Sequence, residues 1–140
     1  MTSKQLRRLQ KRFEAIPKAV REAAKPALVQ AGQELVSAMR TLAEPSRDTG
    51  ALIDSITLTT GGNRTPPYSE PGGSRVVPEY GVVVTAGNSQ VRYAHLVEYG
   101  TRRSKAEPFF WPAYRLLKKK LKSEIRRGMS KAVRDYWKTQ

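Results

Sequence analysis

The chain has 140 residues, of which 39% are hydrophobic and 27% charged, so it has the size and composition of one globular domain and not of a disordered polymer. It contains no cysteine and no apolar run of membrane-spanning length, which excludes disulfides, thiol catalysis and a transmembrane helix. The net charge of +14 is divided into +6 in residues 1–43 and +8 in residues 111–140, while residues 44–110 are neutral. Such a field attracts a polyanion: nucleic acid, an anionic membrane or an acidic protein surface.

Residues 1–43 are predicted to be helical, because apolar side chains recur every three or four positions. We expect a kink or a break at Pro17 and at Pro26, since proline removes a backbone donor and clashes with the preceding turn. The most regular helix should run from residue 26 to residue 43. The predicted apolar stripe consists of Leu6, Leu9, Phe13, Ile16, Val20, Ala24, Ala27, Ala31, Leu35, Met39 and Leu42.

The middle of the chain, residues 44–110, is predicted to form a small antiparallel sheet. After a loop at 44–50, Ile56 and Leu58 alternate with polar residues, which favours a strand, and a second strand is predicted within 76–86. Residues 87–90 are a predicted hairpin turn, and residues 91–93 are a candidate third strand. A single helical turn should follow at 94–99 and end at Gly100.

Between the two strands, residues 61–75 contain four glycines and three prolines and have no periodicity. A loop of this length in a small domain is usually functional or disordered. We therefore predict an extended arm here.

Residues 111–140 are predicted to form one long basic helix, with Pro112 in its first turn. The aromatic residues Phe109, Phe110 and Trp111 precede it and are expected to anchor it on the sheet, with a subunit interface as the alternative. The predicted apolar stripe of this helix consists of Leu117, Leu121, Ile125, Met129, Ala132, Val133 and Tyr136. The predicted fold is a single α+β domain in which a small antiparallel sheet with a long Gly/Pro-rich loop packs against both helical ends.

Three short segments follow one another in a characteristic order. They are Pro45 with Thr49-Gly50-Ala51-Leu52 and Ser55-Ile56, then residues 93–101 (YAHLVEYGT), then residues 108–113 (PFFWPA). In this order they resemble the neck and tail-completion proteins of long-tailed bacteriophages and prophages, over roughly residues 27–135. The first segment departs from the family pattern by one extra residue after Pro45 and by Ile53-Asp54, where a basic residue is common.

The resemblance implies a structural virion protein of the head–tail junction, made in the host cytoplasm during assembly. Such proteins form homo-oligomeric rings, expected here to be hexameric or dodecameric, that complete or terminate the tail and join it to the head. The implied partners are copies of the chain itself, the adjacent neck or stopper protein and the tail-tube protein. Neither catalysis nor a cofactor nor a membrane partner is implied.

The candidate site residues follow from the motifs and from the arm. Residues expected to contact a neighbouring subunit or partner are Arg64, Tyr68, Arg75, Glu98, Arg102 and Arg103. Residues to which the motifs give a structural role are Thr49, Gly50, Tyr93, Gly100, Thr101, Phe109 and Pro112. Two alternatives stay open: the arm could be a plain disordered loop, and the Glu98 carboxylate could be solvated or paired within its own chain.

The basic helix supports a second function class. Its Lys118, Lys119, Lys122 and Arg126 could contact packaged DNA without sequence specificity or dock on an acidic rim of an adjacent ring, and a solvated face is the plain alternative. The alternative function is therefore a nucleic-acid-binding module that uses the terminal helices. An enzyme is not expected, because the chain has no catalytic motif and a single histidine, His95, which offers too few ligands for a metal even with Glu98.

Overall fold

The computed structural model describes residues 3–15 and 17–139. Its helices are α1 (Ser3–Ala15), α2 (Lys18–Ala43), α3 (Ala51–Asp54), α4 (Ala94–Tyr99) and α5 (Phe110–Lys138), with a 3₁₀ turn at Glu44–Ser46. Its strands β1 (Thr57–Thr60) and β2 (Val82–Thr85) form an antiparallel sheet in which Thr57 pairs with Thr85. The α+β arrangement predicted from the sequence is confirmed. Within the described residues, no helix is both long and apolar enough to cross a membrane.

The two prolines of the N-terminal segment act differently. Pro17 is the N-cap residue of α2, so the predicted break at this position is confirmed. The helix continues past Pro26, which is exposed, while neighbouring Ala24 is buried against α5. This packing holds the helix together across the hydrogen bond that proline cannot donate. Of the predicted stripe, Ile16 and the side chains of Leu9 and Phe13 lie outside the described residues.

Helix α5 lies antiparallel along α2, and the two helices are the framework of the domain. Near one end, Val20 and Ala24 pack with Ala132. One turn further along, the two helices approach each other closely at Gly128 and Ala27. A Cβ added to Gly128 would lie only 2.3 Å from the Cβ of Ala27. At the other end α2 and the start of α5 share the main core, where side chains from α3, the sheet and α4 join them. The buried members of this core are Val36, Met39, Ala43, Leu52, Ile53, Ile56, Ala86, Val91, Ala94, Phe109, Phe110 and Ala113.

The candidate third strand at 91–93 does not form, but the predicted turn is present: Asn88 and Val91 exchange both backbone hydrogen bonds (3.0 and 3.1 Å) around residues 89–90. The side-chain Oδ1 of Asn88 also accepts the N–H groups of Gln90 and Val91 and so supports the turn. This turn carries Val91 into the core, where it is almost fully buried. Asparagine suits such a turn because its short side chain can bond the backbone two or three residues ahead.

The arm at residues 61–75 lies between the strands as predicted, but it is folded rather than extended. Arg64 pairs with Val76, and Glu70 pairs with Ala86 at the end of β2. The buried hydroxyl of Thr65 donates a hydrogen bond to the carbonyl of Gly73 (3.0 Å) and closes the loop on itself.

We predict that Leu121→Asp lowers the free energy of unfolding by about 4 kcal/mol, because it puts a charge at a position on α5 that is 7% exposed. The matched control is Leu116→Asp on the same helix, where the side chain is 76% exposed and the change should stay within about 0.5 kcal/mol. Urea denaturation followed by circular dichroism measures both. Equal stability of the two variants would contradict the packing of α5 described above.

Candidate functional site

The second and third sequence motifs meet at the side chain of Glu98. This residue lies near the end of α4 and is 7% exposed. Its Oε1 accepts the backbone N–H groups of Phe109 (2.9 Å) and Phe110 (2.8 Å), and its Oε2 accepts that of Trp111 (3.2 Å). The carboxylate therefore caps the beginning of α5, whose own N-cap residue, Phe109, provides no side-chain hydrogen bond.

A negative charge at this position suits the helix, because the first N–H groups of a helix have no partner within it and form its positive end. The sequence left an intersubunit ion pair and an intrachain role open for Glu98. The structure shows the intrachain role, and contact of Glu98 with a neighbouring subunit stays a prediction.

The aromatic residues beside this cap anchor α5, as the sequence predicts. Phe109 is 1% exposed, and its ring meets that of Phe110 edge to face. Trp111 continues the cluster, and its indole N–H donates to the hydroxyl of Tyr99 (2.9 Å). Pro112 lies in the first turn of α5, where its missing N–H costs nothing. A pocket of about 280 Å³ remains between this cluster, α4 and the arm.

The glycine and threonine residues of the motifs form turns. Gly100 ends α4 with a φ of +77°, and a Cβ there would lie 2.7 Å from the backbone nitrogen of Ala106. The hydroxyl of Thr101 accepts the N–H groups of Arg103 and Ser104 and so shapes the basic loop that follows. Tyr93 is the N-cap residue of α4 and is exposed.

Thr49 and Gly50 also form a turn, but it leads into the short helix α3 and not directly into a strand. Gly50 has a φ of +87°, and the hydroxyl of Thr49 accepts the N–H of Ala51 (3.3 Å). The expectation that a strand follows this turn is corrected, because residues 51–54 close one helical turn first.

The arm residues proposed for partner contact are exposed on the surface. Arg64 takes part in the pairing that closes the arm, and Arg75 lies at the opposite end of the same loop. Tyr68 has a φ of +61°, and the guanidinium of Arg92 lies 3.8 Å from its ring centroid. Arg102 and Arg103 are exposed in the loop after α4.

A polar contact joins the arm to α4. His95 Nδ1 lies 3.1 Å from a carboxylate oxygen of Glu70, and both side chains are about half exposed. Among the described residues, no three acidic or histidine side chains gather into a group that could hold a metal ion.

The basic candidates on α5 fall on two sides of the helix. Lys118 and Lys122 line a groove between α5, α2 and β2, whereas Lys119 and Arg126 are exposed away from it.

The residues of the predicted apolar stripe of α5 differ in their exposure. Its Leu121 and Ala132 are buried, while Met129 and Val133 are exposed. Sequence periodicity missed this division, since it identifies apolar positions and not what lies opposite them.

The chain matches the model of the HK97-gp10-like family, described as a bacteriophage HK97-gp10 tail component, over residues 7–100. This range includes α4 and Glu98 but ends before α5 begins. No curated protein and no solved structure gives a significant match to the chain.

We predict that Glu98→Ala lowers the free energy of unfolding by about 3 kcal/mol, because three N–H groups at the start of α5 lose a charged acceptor. Glu98→Gln keeps one acceptor oxygen and should cost less. Glu79→Ala, which removes an exposed carboxylate, serves as the control. Chemical denaturation distinguishes them, and a Glu98→Ala protein as stable as the control would refute the capping role.

Proposed function

Because the chain belongs to the HK97-gp10-like family of bacteriophage tail components, we propose that it forms a homo-oligomeric ring at the head–tail junction, where it completes or terminates the tail. A tail component is a structural protein of the virion and not an enzyme. The proposal covers the ring and its position at the junction. It also covers the number of subunits, six or twelve, and the contacts of the ring with the stopper and tail-tube proteins.

The observation that carries the proposal is an exposed apolar stripe on the C-terminal half of α5. Met129, Val133 and Trp137 are four residues apart, so their side chains lie above one another along one side of the helix. All three are exposed, and Trp137 is 66% exposed. Contiguous apolar surface of this kind marks an interaction site in proteins, because leaving it in water is unfavourable. We call these three residues the α5 stripe.

A second apolar patch lies on α4. Tyr93, Leu96 and Tyr99 are exposed and three residues apart, so they also share one side of a helix. Arg102 and Arg103 follow them in the exposed loop. We call the three apolar residues the α4 patch.

Two different apolar patches on one molecule allow the subunits to assemble into a ring. When a patch of one copy meets a different patch of the next, the contact is head-to-tail, and repeating it closes a ring if the rotation between neighbours allows it. We propose that the α5 stripe of one subunit packs on the α4 patch of the next subunit.

We predict that Trp137→Glu and Leu96→Glu each abolish ring formation without unfolding the protein. Native mass spectrometry and negative-stain electron microscopy, with the tail-tube protein present, measure assembly, and circular dichroism checks the fold. An equimolar mixture of the two variants retains one intact stripe and one intact patch, so it should form dimers and no rings. Ser123→Glu, an exposed position on α5 outside the stripe, is the control and should still assemble.

A wild-type chain that stays monomeric beside the tail-tube and stopper proteins would overturn the ring. Variants that assemble as well as the Ser123→Glu control would instead reject these two patches as the interface.

The exposed basic side chains of α5 favour a second candidate function, which is binding of packaged DNA. Ten lysine and arginine side chains are exposed along this helix, and phosphate contacts require only such charges on a surface. The DNA contact would be independent of base sequence. The exposed basic residues are Arg115, Lys118, Lys119, Lys120, Lys122, Arg126, Arg127, Lys131, Arg134 and Lys138.

If the basic residues of α5 bind DNA, the affinity for a DNA duplex should fall steeply as salt rises, because binding releases condensed counterions. The triple change of Lys118, Lys119 and Lys122 to Glu should then weaken binding by at least about ten-fold and spare the fold. Fluorescence anisotropy over a salt series measures this. Absence of DNA affinity at low salt would reject the candidate, and failed head–tail joining by the same variant would then favour an acidic protein partner.

A further inference from the structure

Strand β2 has one edge that is left open by the part of the chain that the structure describes. On its partnered edge it pairs with β1. Just beyond its end, Ala86 directs both backbone groups to the other edge: its N–H donates to the Glu70 carbonyl (3.0 Å), and its carbonyl accepts the Glu70 N–H (2.9 Å). Backbone groups alternate between the two edges along a strand, so those of Val84 and Val82 face the same way as those of Ala86.

The arm covers only the first position of this edge. After Glu70 it turns away at Pro71, which has no N–H, and at Gly72, whose φ is +90°. Within residues 3–15 and 17–139, no backbone hydrogen bond from a loop or turn reaches Val82 or Val84. An open edge of this kind is a template for pairing with another strand.

A groove of about 410 Å³ follows this open edge. Val82, Val83 and Val84 all line it, so the groove follows the strand along its length. The rest of the lining comes from α2, with Leu28 and Leu35, and from α5, with Trp111 and Tyr114. The groove therefore offers backbone partners along β2 and apolar and aromatic side chains from the two long helices.

The charged side chains at this groove have one sign. Arg75 comes from the arm, and Lys118 and Lys122 come from α5, while none of the described residues that line the groove is acidic. An occupant that complements the groove is thus extended, apolar on alternate residues and negatively charged on others.

We propose that the open edge of β2 and this groove bind an extended acidic segment of a second protein as an added strand. Backbone hydrogen bonds to Val82 and Val84 would supply affinity, and the basic side chains would select an acidic sequence. The occupant is a different protein and not a second copy of this chain. Strand β1 of a copy carries no charge, and the guanidinium of Arg40 beside it donates to the Ile56 carbonyl (2.8 Å), so a copy would bring further positive charge to the groove.

This binding site goes beyond the proposed ring, because the ring uses the α4 patch and the α5 stripe. The two can be tested apart. The Trp137→Glu variant, designed to prevent ring formation, should bind the acidic segment as well as the wild-type protein does. Loss of the ring with retained segment binding, or the reverse, then shows which of the two proposals has failed.

The test uses a capped octapeptide in which valine and glutamate alternate, added to the full-length protein. Nuclear magnetic resonance hydrogen exchange should show fast exchange at the Val82 and Val84 amides in the free protein and slow exchange at both once the peptide is bound, while the Val83 and Thr85 amides are protected throughout. Fluorescence anisotropy of the labelled peptide gives the affinity. Lys118→Glu with Lys122→Glu should weaken binding by at least about ten-fold.

The matched control is Lys119→Glu with Lys131→Glu, which makes the same charge change on α5 at exposed positions outside the groove and should leave the affinity unchanged. Equal losses in both double variants would show a diffuse charge effect and overturn the site. So would equal binding of a peptide with lysine in place of glutamate, or absence of peptide binding. Protection of Val82 and Val84 in oligomers of the chain alone would assign the edge to a second copy and overturn the choice of occupant.

Discussion

The arrangement of this domain depends on one carboxylate. Glu98, almost fully buried on α4, accepts three backbone N–H groups where α5 begins, and α5 has no acidic residue of its own in its first turn. A buried helix start without acceptors is unfavourable, and the positive end of the helix favours an anion at this point. This contact fixes where the longest helix of the chain starts. The α5 stripe and one wall of the groove along β2 are both carried by that helix, so both depend on it.

A second constraint sets the distance between the two long helices. Gly128 has no side chain, and its backbone approaches Ala27 so closely that a Cβ would not fit without displacement. Close approach at this point buries Val20 and Ala24 with Ala132 and turns Met129 and Val133 outward. The exposed apolar surface of α5 is therefore a consequence of how the helices pack. A partner is the simplest means of removing it from water.

The tail component family and the two-stranded sheet suggest how the remaining surfaces are used. A sheet of two strands has two outer edges, and here one of them borders an apolar groove with a basic rim, lined by Lys118 and Lys122. The rings proposed for assembly and the added strand proposed for partner binding use different surfaces. Because these surfaces are separate, the two proposed contacts do not compete for the same residues.

Much of this protein could be read from its sequence, because helical periodicity, Gly and Pro positions and the ordered motifs depend on residues close together in the chain. These local signals predicted the long helices, the break at Pro17, the turn at Gly100 and the family. They did not predict that residues 91–93 would stay outside the sheet, or that the arm would fold against β2. Nor could they identify the partners of Glu98 or the open edge at Val82 and Val84. They also could not show that Met129 and Val133, predicted as part of one apolar stripe, are exposed. Those features depend on which distant segments meet in space, and only the packed tertiary structure decides that.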